Sequence, residues 1–285
     1  WDESKAAANA ALVLSAIPTQ YSREVWTRFK GHLPENVGIG SLAKGIESDT
    51  LLRPTQVILD ALGELPEGAA THDDPEQSAR PMAAISGPSI ASELARCLPA
   101  TVCVAGHSDA LAQTIQELMT TRWFRVYTNP DLLGVELAGA TKNVIALAAG
   151  MLDGLQAGTN AKSALLARGL AEITRLGTAM GANAETFFGV AGVGDLATTC
   201  FSPVGRNRTC GEQLGRGKAL DQVLEEVPGV VEGVPTTRAV VALAEKHKVD
   251  MPITRTIAQV LFDGLDPLDG IGQLMSRAMK SERIG

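Results

Sequence analysis

The strongest constraint on the fold is a change of period at Asn129-Pro130. Before it, short continuous apolar runs at 11–17, 37–42, 82–85, 101–105 and 124–127 alternate with amphipathic stretches, and Pro18 ends the first run. Runs that are apolar at nearly every position suit strands buried on both faces. Residues 23–33, 55–62, 90–98 and 110–118 read as helices between them, with Arg53-Pro54 opening the second and Gly63 just past its end. Strands alternating with helices predict a mainly parallel sheet covered on both faces. After Pro130 the segments 131–152, 161–180, 206–214, 236–246, 253–262 and 268–279 all read at helical period, and strand signals nearly vanish. The expected division is an α/β domain over 1–128 and an all-α domain over 129–285. The acidic, Pro-containing stretch 66–80 reads as a surface loop.

Composition narrows the function classes. With 285 residues, 45% of them hydrophobic and 20% charged, the chain has ample core and is not disordered. A net charge of −7 argues against a general nucleic-acid surface. Cys97, Cys103, Cys200 and Cys210 form no close Cys-x-x-Cys pair and share no ligand spacing with the four histidines. No metal site is expected, and a reducing cytoplasm is the default setting. The opening residues do not read as a signal peptide. The run 132–152 is long enough to cross a bilayer, but Glu136, Lys142 and Asn143 lie within it and would be expensive in lipid. It is read as a helix buried in protein, with no membrane span.

Five features could carry chemistry. Lys44-Gly45 and Ser86-Gly87-Pro88-Ser89 follow strand candidates, at the end where open parallel sheets bind ligands. A solvated lysine and a plain turn are the alternatives. Lys142, with Asn143, lies mid-helix among apolar residues. It either snorkels to water or faces a cavity with a lowered pKa, and the residues alone leave both open. Gly189–Leu196 has the wrong spacing for a dinucleotide fingerprint. It reads as a Gly-rich turn that delivers Asp195 into a helix start, where a simple dipole-favouring acid is the alternative. Gly205-Arg206-Asn207-Arg208 is either a phosphate grip at a helix start or a solvated basic turn. Val230-Val231-Glu232-Gly233 places an acid before a helix.

Taken in order, these segments resemble the bacterial-type NAD(P)-dependent glycerol-3-phosphate dehydrogenases. Phe124-Arg125-Val126-Tyr127, Lys142-Asn143-Val144-Ile145-Ala146 and Arg168-Gly169-Leu170-Ala171-Glu172 belong to the same pattern. The resemblance implies a partial Rossmann-type parallel sheet followed by a helical domain of the 6-phosphogluconate dehydrogenase type. It implies NAD or NADP as cofactor and an oxidoreductase interconverting dihydroxyacetone phosphate and glycerol 3-phosphate for phospholipid synthesis. It makes Lys142 the proton acceptor and donor, with Lys44 and Asp195 supporting and orienting the substrate. Gly87, Ser89, Asn143, Gly205, Arg206 and Asn207 then contact substrate. Ala91, Arg206, Val230 (or its neighbour Val231) and Glu232 lie on the cofactor side. A homodimer is one expected assembly.

The pattern also departs from the family. Residue 1 is Trp, and no G-x-G-x-x-[GA] turn precedes the run 11–17. The expectation is that the sequence enters the family's sheet just before its fourth strand, without the first strands, the pyrophosphate-binding turn and the residue that chooses NAD or NADP. An apolar strand at one sheet edge should then lack a partner. The competing expectations are an inactive truncated homologue that binds phosphate ligands or other chains, and a 3-hydroxyacid dehydrogenase. Lys44 and Arg206-Asn207 count against the second of these.

Overall fold

The computed structural model describes residues 5, 7–66, 80–279 and 281–282. The expected surface loop at 66–80 therefore lies almost wholly outside the described residues, as do residues 1–4. Strands β1 (Leu12–Ser15), β2 (Gly38–Ser41), β3 (Met82–Ser86), β4 (Ala100–Gly106) and β5 (Phe124–Asn129) form one sheet in sequence order. All neighbours pair parallel except β3 and β4.

That exception has a local cause. The helix expected over 90–98 shrinks to α3 (Ala91–Leu94). Cys97 takes a φ of 54°, in the left-handed region that ends a helix, and Pro99 follows. With no long helix to carry the chain back over the sheet, β4 returns antiparallel beside β3.

Helices α1 (Thr19–Phe29) and α2 (Pro54–Leu62) cover one face of the sheet, where Trp26, Ile58, Leu59 and Leu62 meet Ile39 and Met82. Helix α4 (Asp109–Met119) covers the other, where Ala112 and Ile115 meet Ile85, Val102, Val104 and Val126. Helix α1 is displaced from the expected 23–33. It starts directly after Pro18 and ends at Phe29, before Gly31 turns the chain at a φ of 77°. Strand β1 lies at the sheet edge and exposes Leu14 by 44%, as expected of an apolar edge strand.

Beyond β5 the described residues contain helices and no strand. Helix α5 (Leu132–Gly154) starts at Asp131, whose carboxylate accepts the Gly134, Asn183 and Thr186 donors at 2.8, 2.9 and 2.7 Å. Among the described residues it is the one helix long and apolar enough to cross a membrane, and it is a buried core helix. Around it lie α6 (Gly158–Ala179), α7 (Ala184–Phe188), a π-helical turn (Val190–Gly194), α8 (Asp195–Phe201), α9 (Arg206–Gly215), α10 (Leu220–Glu226), α11 (Gly233–Lys246), α12 (Pro252–Phe262) and α13 (Pro267–Met275). The last is shorter than the expected 268–279.

Helices α5 and α9 run parallel and touch backbone to backbone. A Cβ on Gly211 would overlap the Leu147 carbonyl oxygen, and one on Gly150 the Arg208 carbonyl oxygen. Continued toward the helix starts, this register brings Asn207 level with Asn143. Both meet Gly233, whose added Cβ would lie 2.7 Å from the Asn143 carbonyl oxygen and 2.8 Å from Asn207 Oδ1.

Candidate active site

Two lysines and one aspartate meet where the strand ends face the helices. Lys142 lies on the α5 face turned toward α8, and its side chain is only 7% exposed. It does not snorkel. Its Nζ donates to Asp195 Oδ1 at 2.6 Å and to Thr199 Oγ1 at 2.8 Å. Lys44, on the segment after β2, donates from the opposite side to Asp195 Oδ2 at 2.7 Å and to the Gly87 carbonyl at 2.9 Å. Ser89 Oγ lies 3.4 Å from Lys44 Nζ.

The placement of Asp195 follows from its local chain. The π-helical turn replaces the dinucleotide turn that the glycines superficially suggest, and it follows helix α7 rather than a strand. Such one-turn π elements recur at functional sites. The turn sets Asp195 at the start of α8, where its carboxylate also accepts the Gly87 N–H and the Ser86 hydroxyl, both at 3.3 Å. Gly87 has a φ of 138°, and a Cβ there would stand 2.9 Å from Val102 Cα, so the turn requires glycine.

The electrostatics are those of two cations around one anion. Burial would push the Asp195 carboxyl up, but Lys142 and Lys44 hold it below the ordinary aspartate value. Burial, helped by the Lys44 charge and opposed by Asp195, lowers the Lys142 ammonium from the ordinary lysine value to about 8. The cluster is therefore net positive, with one member able to give or take a proton near neutral pH.

The other expected site residues lie around this centre. Asn143 Nδ2 donates to the Lys44 carbonyl at 2.6 Å, so its amide is engaged within the protein. Asn207 Oδ1 accepts the Gly233 N–H at 2.9 Å, while Arg206 is exposed at the first turn of α9. Gly205 is the N-cap of α9 and supplies no side-chain cap. Glu232 Oε1 accepts the Thr19 N–H at 3.0 Å; burial pushes its carboxyl up, against that hydrogen bond and the nearby Arg206. Ala91 is exposed on α3. Val231 is buried in the helical core, whereas Val230 is half-buried. Sequence reasoning missed Thr199 and the hydroxyl of Ser86. Thr199 lies one helical turn beyond Asp195, a spacing that would have placed it on the same face of α8.

Unused hydrogen-bonding capacity beside the cluster is compatible with a polar cofactor of the NAD(P) kind. The buried hydroxyls Thr19 Oγ1 and Thr236 Oγ1 have no partner among the described residues. They lie together beside Gly45, and Glu232 adjoins Thr19.

The family models and the curated relatives that match the chain point to one family. Residues 1–112 match the family model described as NAD-dependent glycerol-3-phosphate dehydrogenase N-terminus, and residues 131–271 match the corresponding C-terminus. The glycerol-3-phosphate dehydrogenase [NAD(P)+] of Pelotomaculum thermopropionicum is 46% identical over 281 residues, which is 99% of this chain and 77% of that protein. The enzyme of the same name from Geobacter sp. is 43% identical over 99% of this chain and 81% of its own length. The crystal structure of a glycerol-3-phosphate dehydrogenase from Coxiella burnetii superposes with a TM-score of 0.87 at 35% identity, covering 97% of this chain and 80% of that one.

Proposed function

The chain belongs to the NAD-dependent glycerol-3-phosphate dehydrogenase family, and from that premise we propose that it interconverts dihydroxyacetone phosphate and glycerol 3-phosphate through Lys142. The observation that carries the residue assignment is the buried Lys142–Asp195–Lys44 cluster. Kinship across nearly the whole chain favours this enzyme over an inactive binding module. The reaction supplies glycerol 3-phosphate for phospholipid synthesis.

The bound nicotinamide cofactor, NAD or NADP, supplies or accepts the hydride. Lys142, as its ammonium, donates a proton to the carbonyl oxygen of dihydroxyacetone phosphate; as its amine, it takes the proton from the glycerol 3-phosphate hydroxyl. With a pKa of about 8 it populates both forms in that range. Asp195 fixes the Lys142 ammonium in place, and Lys44 adds positive charge where oxyanion character develops. The Gly87–Ser89 turn and Asn143 shape the substrate floor. Arg206, Asn207 and the free N–H groups after Gly205 grip the phosphate. Ala91, Arg206, Val230 and Glu232 hold the cofactor, with Val230 preferred to its core-buried neighbour. The reading places the domain division at 128/129 and the protein in the cytoplasm as a homodimer, with small-molecule partners and no nucleic acid.

The test is turnover of the full protein with both cofactors. Lys142→Ala is expected to lower kcat by at least about a hundred-fold, the lower end of what a positioned acid or base contributes. Reduction of dihydroxyacetone phosphate should fall as pH rises through about 8, because the ammonium form is required. Loss of less than about three-fold, against the hundred-fold or more expected of an acid-base residue, would remove Lys142 from the mechanism.

A further inference from the structure

One stripe of α5 grips both ends of the segment that carries Lys44. Glu136, Gly139 and Asn143 follow one another at intervals of three and four residues, so they share a helix face. At one end, the Glu136 carboxylate accepts the Thr55 N–H and the Thr55 hydroxyl, both at 2.8 Å, and meets the Arg53 guanidinium. At the other, Asn143 holds the Lys44 carbonyl at 2.6 Å. Between them Gly139 packs against the end of β3: a Cβ there would crowd Ser86 Oγ at 2.7 Å, while the Lys44 stem lies at ordinary contact distance, 3.6 Å from Lys44 Cγ.

The Arg53 and Glu136 side chains are only 4% and 1% exposed. A buried ion pair is a weak device for stability, since apolar residues of similar volume often serve as well. What apolar residues would not supply is the directional hold on the Thr55 backbone and hydroxyl. We propose that Glu136 is a positioning residue: with Arg53 and Thr55 it fastens the Lys44 segment to α5, and so holds the Lys44 ammonium against Asp195 opposite Lys142. This rests on the reading of Lys44 and Lys142 given above.

The consequence is readable at Lys142. Its Nζ faces Lys44 from the sheet side and Asp195 and Thr199 from α8, with the Glu232 carboxylate electrostatically coupled to it. Lys44 is the cation in this group that, after burial, depresses Lys142. When the clamp is released, Lys44 moves off Asp195 and Lys142 climbs back toward the ordinary lysine value.

The experiment follows the Lys142 titration by NMR of lysine labelled at Cε, in the full protein, beside thermal melting and the pH profile of kcat. The double variant Arg53→Leu/Glu136→Leu removes both charges together and should keep its melting temperature within about 3 °C. It is expected to raise the Lys142 midpoint by at least about half a pH unit and to lower kcat about ten-fold through misplacement. Arg53→Leu/Glu136→Gln keeps an acceptor for the Thr55 N–H and a donor to its hydroxyl without leaving a buried guanidinium unpaired, and should recover part of both losses. Thr55→Val removes only the hydroxyl, so it should shift the midpoint the same way by less; if the double variant does not fold, this variant decides. A wild-type midpoint and kcat in the folded clamp variants overturn the inference. Lys44→Met separates the two levels. If it raises the midpoint while the clamp variants do not, only the clamp fails; if it too changes nothing, the reading of the site fails.

Discussion

Lys44 comes to the site from the sheet, on the segment that follows β2, and Lys142 from within a helix that is buried almost throughout. The Lys44 side chain is 18% exposed and partners a backbone carbonyl and a hydroxyl as well as Asp195; the Lys142 side chain is 7% exposed. The sheet part supplies charge and backbone donors from turns, such as the Gly87 N–H. The helical part supplies Lys142, the group proposed to exchange the proton. A proton donor needs a fixed, dry position to keep a depressed pKa, whereas a cation that only biases charge tolerates partial hydration.

That contrast predicts different tolerance to the same small change. In the helical part, Gly211 on α9 lies directly on the α5 backbone, so an added Cβ has the Leu147 carbonyl oxygen in its way and no side chain that can move aside. Gly211→Ala is expected to cost at least about 3 kcal/mol, the upper end for overpacking, measured by denaturant unfolding. It should also carry Arg206 and Asn207 away from Lys142, because α9 holds them. A variant of wild-type stability would show that the two helices are not locked together.

Much of this was legible in sequence, and what was missed has a common cause. The apolar run around Lys142 announced a buried helix with a costly charge, and Gly63 marked a helix end that the structure keeps, whereas the strand before Pro18 already ends at Ser15. The identity of the partner of Lys142 was not legible without the resemblance, because Asp195 is 53 residues away and its own neighbourhood reads as a plain helix start. Glu136 and Glu172 each receive donors from the first turn of another helix, 81 residues away, and no local spacing reveals such a partner. The antiparallel β4 escaped for another reason. Its cause is the left-handed turn at Cys97, a residue type that does not advertise that conformation.

Glu172 offers a second way to sharpen the comparison, through pH. It lies on α6 and accepts the Ile253 N–H at 2.7 Å and the Thr254 N–H and hydroxyl at 3.1 and 3.2 Å, capping α12. Burial outweighs those donors and pushes its carboxyl up from the ordinary glutamate value to about 7. The folded state therefore holds a proton that the unfolded state has already released between about 4.5 and 7. The Glu172 contribution to stability falls as pH rises through that window, by no more than about 3.4 kcal/mol at about 1.36 per unit. Glu172→Gln should flatten this dependence, measured as denaturant midpoint against pH. An unchanged slope in the variant would place the titrating group elsewhere.

The smallest expected effect lies in the sheet and mirrors the largest. Gly38 on β2 is also crowded: an added Cβ would stand 2.6 Å from Leu111 Cδ1. The obstacle here is the tip of a flexible side chain on α4, which can change rotamer, whereas at Gly211 it is a backbone carbonyl. Alanine also loses less backbone entropy than glycine on folding into a strand, which offsets part of the crowding. Gly38→Ala should therefore change stability by less than about 1 kcal/mol of either sign and leave the Lys142 titration untouched. A loss as large as that of Gly211→Ala would mean that α4 is seated on the sheet as rigidly as α9 on α5, and the contrast between the two parts of the molecule would disappear.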